Sequence, residues 1–448
     1  MSIYRYTLSD YHAIKEADIT IDGITVLAGE NGCGKSTLSR WLYYLVNGAQ
    51  RFEDIAIKLY EFTIDQLIEE QSRVVTEMRY FVQKMSQKKN SITFKRPKRS
   101  NISTLSPREK RIQIIQDKFE EFIYNTGDLL SEYLSTSKKD ESCKRVIKYL
   151  GVDSFAEECD NPKKIALHYI TINIDRLKYE TESLSAILAN RTLKNFLAYV
   201  GLEFNERDDI PSNIQLYEDG VDLIGDNRVS SLFNLRQAIY IDTPMALTND
   251  SENNIFWKEL RDLIKQPSKE LDISEKKILR RLTKIMHGEV KMVKDDSPFT
   301  TYELRFVSDD GKVNIEIDKA ATGFKTFIYL QRLLENGYLG SNCLLLIDEP
   351  EAHLHPQWIV EYARILVLLN KELGQKIMLA THNPDMVAAI RSIAEKEKVL
   401  DKTNFYIAEP SGQSNTYCYK ALGTDISEIF TSFNIALDRI QAYGTDNL

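Results

Sequence analysis

A glycine-rich segment near the N-terminus has the residue types and spacing of a phosphate-binding loop. It reads Gly29-Glu30-Asn31-Gly32-Cys33-Gly34-Lys35-Ser36-Thr37. Glycines let backbone N–H groups curl around phosphate oxygens, and the N-terminus of a following helix adds partial positive charge. In this pattern we expect Lys35 to reach the β- and γ-phosphates of a nucleotide and Ser36 to offer its hydroxyl to Mg²⁺.

Two adjacent acids follow an apolar run later in the chain. Residues 344–347 read Leu-Leu-Leu-Ile, which is typical of a buried strand, and Asp348 and Glu349 come directly after them. By themselves these acids could be an ordinary solvated strand end. Together with a phosphate loop they favour catalysis, because one carboxylate can hold Mg²⁺ and the other can orient or deprotonate water. We predict Asp348 as the metal ligand and Glu349 as the base.

A histidine ends the next apolar strand. His382 follows Thr381, and residues 377–380 are Ile-Met-Leu-Ala. A lone histidine is more often structural, but the ends of neighbouring parallel strands form the rim where open α/β sheets bind ligands. We therefore predict that His382 senses a γ-phosphate.

A second histidine pattern, Glu351-x-His353-x-His355, resembles a metal-binding set. In a loop or helix its side chains would not converge on one ion, and no fourth ligand is near in sequence. We do not expect a metal there.

The elements that position these residues are visible in the hydrophobic pattern. Residues 17–28 and 214–225 each place Asp-Gly between alternating runs, which predicts two β-hairpins, and 303–317 resembles a third. Apolar strands alternate with helices from 327 to 380, which indicates a parallel sheet covered on both faces. The predicted fold class is α/β.

Residues 53–200 have a different, helical texture. Apolar residues recur with heptad-like spacing around 64–85 and again around 112–133. We predict two long helices packed as a hairpin, forming a short arm that reaches ~30–40 Å. The predicted domains are 1–52 and 201–448, which together form one ATPase-like head, and 53–200, inserted between them.

The tip of that predicted arm is basic. Residues 86–111 contain nine Lys or Arg and a single acid, Glu109. They could bind the backbone of DNA or RNA, with Phe94 available to stack on a base. The alternative is a flexible, solvated loop rich in Ser, Asn and Pro.

Composition narrows the class of protein. The chain has 448 residues, is 43% hydrophobic and 28% charged, and carries a net charge of −8, which is ordinary for a core-forming protein. No apolar run approaches the roughly 18 residues that span a bilayer, and the N-terminus lacks a signal-peptide core. Five cysteines without a C-x-x-C pair favour a reducing compartment, so we expect a cytoplasmic protein without membrane attachment.

Four motifs in order carry a family resemblance: GENGCGKST, ATGFK, LLLIDEPEAHLHP and ATHNPD. They resemble the ABC-type ATPase head of SMC, Rad50, RecF and OLD-like proteins, and more narrowly the compact ATPases of bacterial anti-phage systems such as the Septu ATPase. The resemblance covers about 1–52 and 200–448. It implies an ABC-type P-loop head with a mostly parallel core sheet and antiparallel hairpins, which binds ATP and Mg²⁺ and hydrolyses ATP.

The resemblance also implies a homodimer or a higher oligomer built from dimers. In that family two heads enclose two ATP molecules, and each phosphate loop faces the signature motif of the other subunit. The signature falls on residues 321–325, and the expected nucleotide contacts are Thr322, Gly323 and Lys325. Ala321 stands where the family has serine, and Thr322 replaces a glycine, which weakens the expected contact.

Two further family features are placed with different success. The loop Pro350 to Pro356 is expected at the dimer interface. The glutamine loop has only weak candidates, Gln237 and residues 240–243.

Several functions remain open. The first is a sensor or regulatory ATPase of anti-phage defence that controls a separate nuclease or toxin, because the residues after His382 contain no D-x-D motif of an appended nuclease. The second is a DNA-maintenance ATPase of the RecF or Rad50 type. The third is an ATP-binding scaffold with little turnover, to which Ala321 gives some weight. A transporter subunit is a weaker option, because the helical insertion argues against it.

Overall fold

The computed structural model describes residues 2–85, 93–96, 105–137, 141–204, 209–225, 228–242, 255–294, 302–412 and 415–431. The chain divides into two compact units. The sheet unit comprises Met1–Arg51 and Thr192–Leu448, and the helical unit comprises Phe52–Arg191.

The strands are β1 (Tyr4–Tyr11), β2 (Ile14–Ile21), β3 (Ile24–Ala28), β4 (Asn213–Glu218), β5 (Val221–Ile224), β6 (Gln237–Ile241), β7 (Gly288–Lys294), β8 (Tyr302–Ser308), β9 (Asn314–Glu316), β10 (Cys343–Asp348), β11 (Lys376–Thr381), β12 (Thr403–Pro410) and β13 (Tyr417–Gly423). The helices are α1 (Lys35–Met85), α2 (Pro107–Thr136), α3 (Glu141–Tyr149), α4 (Asp153–Glu158), α5 (Pro162–Asn190), α6 (Leu193–Glu203), α7 (Ile255–Ile264), α8 (Ile273–Met286), α9 (Thr322–Glu335), α10 (Pro356–Leu373) and α11 (Pro384–Glu397).

Ten strands form one sheet in the order β5-β4-β1-β2-β13-β12-β3-β11-β10-β6. Strands β12, β3, β11, β10 and β6 are parallel neighbours, whereas β4 with β5, β1 with β2 and β4, and β12 with β13 are antiparallel. Every residue of β3, β10 and β11 is buried, as expected for parallel strands covered on both faces. The predicted α/β fold, with a mostly parallel core and antiparallel hairpins, is confirmed.

The first predicted hairpin is wrong. Strand β2 pairs with β1 and β13, while β3 lies between β11 and β12. A Cβ added to Gly23 would lie 2.3 Å from the carbonyl oxygen of Lys402. Glycine is therefore required by a close approach of backbone, and the Asp-Gly pair marks a turn between strands that separate.

The other two predicted hairpins are confirmed. Strands β4 and β5 pair antiparallel through a turn in which Asp219 and Gly220 both have positive φ, 51° and 82°, as a two-residue hairpin turn requires. Strands β8 and β9 also pair antiparallel, and β7 completes a separate three-stranded sheet.

The two faces of the parallel strands are covered by different helices. On one face, alternate residues such as Val26, Leu345 and Leu379 join a core with the buried faces of α7 to α11. On the other face, the side chain of Asn47 in α1 exchanges two 2.9 Å hydrogen bonds with the backbone of Ala238 in β6. Helix α1 is thereby fixed directly behind the sheet edge that presents the phosphate loop.

The helical unit does not contain the predicted hairpin of α1 and α2. Arg108 at the start of α2 pairs with Glu53, and the ring of Tyr133 near its end lies 5.0 Å from that of Phe81. The contacting residue numbers rise together, so the two helices are parallel. Heptad-like spacing predicted which face of each helix is apolar, but it carries no information on direction.

Helix α5 supplies the antiparallel partner. Gln116 bonds Thr181 at 3.0 Å, and a Cβ on Gly127 would lie 2.6 Å from Ile170. The numbers run in opposite directions, so α2 and α5 are antiparallel and pack closely at Gly127. Helix α6, which the sequence analysis placed in the insertion, belongs to the sheet unit.

The basic segment 86–111 is described only at 93–96 and from 105 onward. Its last cations belong to the start of α2, where Arg111 pairs with Asp54. The backbone N–H of Phe94 donates to Asp128 at 2.7 Å, and Arg96 donates to Asn125. The described part therefore lies along α2, and the remaining residues of the predicted basic tip lie outside the described residues.

Within the described ranges, no helix is both long and apolar enough to cross a bilayer.

Candidate functional site

The phosphate loop connects β3 to α1, as the pattern predicts. Gly32 and Gly34 have φ of 86° and 96°, a backbone region that side chains rarely adopt. Lys35, the first residue of α1, is buried, and its Nζ donates to the carbonyl oxygens of Gly29 (2.9 Å) and Glu30 (2.8 Å). The ammonium group is thus held inside the curl of the loop, on acceptors that a phosphate could replace.

The back of the loop rests on β12 and β13. The hydroxyl of Tyr419 donates to the carbonyl oxygen of Cys33 at 3.1 Å, and a Cβ on Gly29 would lie 2.9 Å from the Cβ of Ala408. The Cys33 side chain is fully buried beside Tyr419. Cys33 can therefore offer a ligand its backbone but not its thiol.

Asp348, at the end of β10, lies beside Ser36. Burial raises the pKa of Asp348, while hydrogen bonds from the Ser36 and Tyr240 hydroxyls act in the opposite direction. Its Oδ2 accepts the Tyr240 hydroxyl at 3.1 Å, and its Oδ1 is buried with no hydrogen-bond partner in the described part of the chain. Tyr240 is a site residue whose contact the sequence did not specify.

These atoms fit a magnesium ion. A hydroxyl and a carboxylate are hard oxygen donors, and the unpartnered Oδ1 of Asp348 is a buried acceptor that needs an explanation. No cluster of three His, Cys, Asp or Glu side chains suited to a metal occurs in the described part of the chain. Magnesium usually keeps waters and phosphate oxygens as further ligands, so two protein donors suffice.

Glu349 occupies a constrained position between two strand ends. Its φ is 45°, and its backbone N–H donates to the carbonyl oxygen of Ala380 at 2.9 Å. Its side chain is 40% exposed, and Oε1 lies 3.3 Å from Nδ1 of His382. The fold thus brings together the residues predicted as base and γ-phosphate sensor.

Glu351 is a buried acid that sequence reasoning missed. Its Oε1 accepts the Thr381 hydroxyl at 2.6 Å and the backbone N–H of His382 at 3.1 Å. Burial raises the pKa of Glu351. The available signal was the E-x-H-x-H pattern, but its members separate: Nδ1 of His355 accepts the backbone N–H of Gln357 at the start of α10, and His353 is exposed.

A cavity of about 610 Å³ opens beside the phosphate loop. This volume lies within the range of small-molecule sites. An aromatic side of the cavity comes from the β1–β2 turn and the first turns of α1, where the rings of Tyr11 and Trp41 meet edge to face at 6.0 Å. The remaining lining residues are His12, Ala13, Asn31, Gly32, Gly34, Lys35, Ser36, Thr37, Arg40, Tyr44, Asp209, Glu349 and Asn415.

The predicted signature motif lies at the start of α9. Ala321 precedes the helix without a side-chain cap, and a Cβ on Gly323 would lie 2.9 Å from the carbonyl oxygen of His353. Lys325 is only 2% exposed, and its Nζ donates to the carbonyl oxygen of Asp318 at 2.8 Å. Burial also lowers the pKa of Lys325. Its position does not support the predicted nucleotide contact, whereas Thr322 is partly exposed.

A family model described as an AAA ATPase domain matches residues 1–387. This chain belongs to the AAA ATPase domain family. The matched range contains the phosphate loop, Asp348, Glu349 and His382. No curated protein matches the sequence.

Solved structures similar to this chain include three SMC head domains. One is an SMC head bound to the C-winged helix domain of ScpA (TM-score 0.36, 10% identity, 96% of this chain and 99% of that chain). A second, from Pyrococcus furiosus, has an extended coiled coil and is bound to the C-terminal domain of ScpA (0.35, 12%, 98% and 100%). A third is the SMC head domain from Thermotoga maritima (0.36, 8%, 94% and 99%).

Proposed function

We propose that this chain binds ATP with Mg²⁺ and hydrolyses it. The observation that carries the proposal is the meeting of three elements at one edge of the parallel sheet. The start of α1 brings Lys35 and Ser36, β10 ends at Asp348 and is followed by Glu349, and the residue after β11 is His382. Membership of an ATPase domain family supports the same conclusion.

Binding is assigned to the phosphate loop and the adjoining cavity. The Lys35 ammonium exchanges its two loop carbonyls for phosphate oxygens, and backbone N–H groups of residues 29–37 surround the phosphates. The aromatic side formed by Tyr11 and Trp41 offers apolar surface for a base. Thr37 and Asn31, which also line the cavity, remain predicted contacts.

Ser36 and Asp348 are the proposed magnesium ligands. A bound Mg²⁺ would neutralise charge on the phosphate oxygens. Asp348 is held for this role by the Tyr240 hydroxyl, which leaves Oδ1 available.

Glu349 is proposed to orient and deprotonate the attacking water. Its carboxylate borders the cavity and is partly exposed, so water can reach it. His382 stands beside it and is proposed to contact the γ-phosphate, which would place both groups on the side where the phosphoryl group is transferred.

The active form is proposed to be a homodimer or a higher assembly of dimers. None of residues 321–325 lines the cavity, although all are described. This is compatible with a signature motif that serves the site of a second molecule, as the sequence resemblance implies. A two-fold dimer would satisfy both sites with one self-complementary surface.

The cellular role is proposed from the sequence resemblance. We assign the chain to the cytoplasm as a sensor or regulatory subunit of anti-phage defence that controls an effector, a nuclease or toxin, on a separate chain. A RecF- or Rad50-like role in DNA maintenance and a scaffold that binds ATP with little turnover are the alternatives. Purification of the tagged chain from its native host separates the defence role from a RecF-like role, because of these two only the defence role predicts a co-purifying nuclease or toxin.

Equilibrium nucleotide binding and steady-state phosphate release test the biochemical proposal. Wild-type protein should bind ATP and ADP and release phosphate in the presence of Mg²⁺, and Lys35→Ala should do neither. Lys178→Ala removes an exposed lysine that pairs with Asp175 in the helical unit, and it should behave as wild type. Binding without turnover would favour the scaffold, and no nucleotide binding would refute the proposal.

A further inference from the structure

The loop after β10 contains a buried carboxyl group, and its hydrogen bonds alone do not explain why an acid stands at this position. Glu351 is 6% exposed, and its Oε2 has no hydrogen-bond partner among the described residues. The hydrogen bonds from the Thr381 hydroxyl and from the His382 backbone are both made to Oε1. A neutral amide could accept both at a smaller desolvation cost, so the two bonds alone do not explain a carboxyl group here.

The ring of His382 supplies the missing reason. Its Nδ1 is 3.5 Å from Oε1 of Glu351 and 3.3 Å from Oε1 of Glu349. Neither contact has hydrogen-bond geometry, since Nδ1 is buried and no described residue forms a hydrogen bond with it. Two carboxylates on this edge of the ring favour a proton on Nδ1, and the other nitrogen, Nε2, lies on the opposite edge of the imidazole.

We propose that Glu351 is a positioning residue: its buried carboxyl group fixes both the backbone and the ring of His382, so that Nε2 is presented to the γ-phosphate. This inference rests on the proposed function. Glu351 does not line the cavity beside the phosphate loop, and in this proposal it acts only through His382. It also ties the loop after β10 to the end of β11, because the hydroxyl that bonds Glu351 belongs to Thr381, the last residue of that strand.

The arrangement has a second anchor within the sheet. Asp348 pairs with Ala380 in the parallel β10–β11 ladder, and the N–H of Glu349 bonds the carbonyl of Ala380. This register places the loop that contains Glu349 and Glu351 next to Thr381 and His382. A shift of His382 would therefore also change the surroundings of the Glu349 carboxylate, because Oε1 of Glu349 lies beside Nδ1 of His382.

The alternative is a purely structural brace, and Glu351→Gln distinguishes the two. Glutamine keeps the length and one acceptor oxygen for Thr381 and the His382 backbone, but it removes the charge beside Nδ1. A brace would survive this change with kcat unaltered. A positioning carboxylate would not: we expect kcat to fall about ten- to a hundredfold, the typical cost of removing an outer carboxylate that orients a metal-bound histidine, while affinity for ADP, which lacks the γ-phosphate, stays within about twofold.

A double-mutant cycle with His382→Ala gives the decisive readout. If Glu351 acts through His382, Glu351→Gln should change kcat by less than about twofold in the His382→Ala background. An equal fall in both backgrounds, or wild-type kcat for Glu351→Gln alone, overturns the proposal. Glu372→Gln is the matched control, because it removes a carboxylate that pairs with Lys277 near the far end of α10.

Two further measurements keep the test independent of folding and of turnover. Thr381→Val removes the hydroxyl that holds Glu351 and should likewise lower kcat while ADP affinity is kept. Thr381→Ser, which retains the hydroxyl, should restore kcat. The ratio of ATP to ADP affinity should also fall in Glu351→Gln, even if the wild type binds ATP without hydrolysing it; an unchanged ratio in that case overturns the inference. Failure of the proposed function would give a different result: the wild type would show no nucleotide binding that Lys35→Ala abolishes.

Discussion

The hydroxyl of Tyr240 donates a 3.1 Å hydrogen bond to Oδ2 of Asp348 across the neighbouring strands β6 and β10. Burial raises the pKa of Tyr240 well above its usual value, and the negative charge of Asp348 adds to the shift. The phenol therefore stays protonated and remains a donor near neutral pH. Strand β6 thus contributes a side chain to the site, and residues 240–243 remain candidates for the glutamine-loop position.

Tyr240→Phe should weaken magnesium-dependent binding of ATP. Loss of one hydrogen bond of about 0.5–1.5 kcal/mol corresponds to a two- to tenfold weaker affinity, and binding measured with EDTA should change less. Tyr6→Phe is the matched control, because the Tyr6 hydroxyl is also buried but forms no hydrogen bond within the described ranges. Equal effects of the two substitutions would contradict a role for Tyr240 in holding Asp348.

Glu349→Gln should separate binding from hydrolysis. The side chain keeps its length but loses the capacity to accept a proton from water, so turnover should fall about a hundredfold or more, while ATP affinity stays within about twofold. Fluorescent-nucleotide titration and phosphate release measure the two quantities. Hydrolysis at the wild-type rate would show that the base has been assigned to the wrong residue.

Mixed dimers should recover activity if the site is shared between two chains. Lys35→Ala destroys the phosphate loop and Thr322→Arg blocks the signature, so each variant alone should be inactive. In a mixed pair one site carries both lesions and the other carries neither. Part of the ATPase activity should therefore return on mixing. A mixture that stays inactive, although labelled chains demonstrably exchange, would contradict the composite site.

The basic segment should matter only if it contacts nucleic acid. Replacement of four of its cations by serine should then weaken binding and reduce the salt dependence by about one unit of slope per lost phosphate contact. The four are Lys95, Arg96, Lys98 and Arg99. Lys144→Ser with Lys148→Ser, in exposed positions of α3, is the control. Unchanged binding to DNA and RNA at low salt would leave the segment as a solvated connection.

Lys376 gives a prediction about stability, away from the proposed site. It is 2% exposed, with Nζ 5.6 Å from the centre of the Tyr4 ring, and burial lowers its pKa. The folded state therefore binds a proton less readily than the unfolded chain, so this group should make the protein more stable as pH rises from its lowered folded pKa towards its usual value. Lys376→Met should remove that rise. Urea unfolding at several alkaline pH values measures it, and an unchanged slope would refute the assignment.

The residues at the sheet edge could be predicted from the sequence because each belongs to a local motif. The phosphate loop requires a strand before it and a helix after it, and both are present as β3 and α1. The acids and His382 follow apolar strands whose burial is total. Parallel pairing of β10 with β11 then brings these strand ends together, which is a general property of such sheets.

The remaining features depend on distant neighbours. Glu351 is next to Thr381 only through the register of β10 and β11, and its local sequence resembles a metal motif instead. The sequence predicted that Lys325 contacts a nucleotide, but in the folded chain its side chain is buried. The sequence predicted Gly23 in a hairpin turn, but glycine is needed there because the backbone of Lys402 lies too close to allow a Cβ atom. Each of these residues has a role set by tertiary packing, which local patterns do not contain.

The position of β3 has a consequence for biosynthesis. Ile24 is made early, but its partners in the ladder are Ile377 and Thr403, roughly 350 residues or more later. At translation rates of about 5–20 residues per second, the strand waits on the order of 20–70 s for either neighbour. Until then its five apolar or small residues lack the sheet that finally buries them all. We therefore expect the unpaired β3 segment to be prone to aggregation during synthesis, whereas α2 and α5, whose contacts are closer in sequence, can pair earlier.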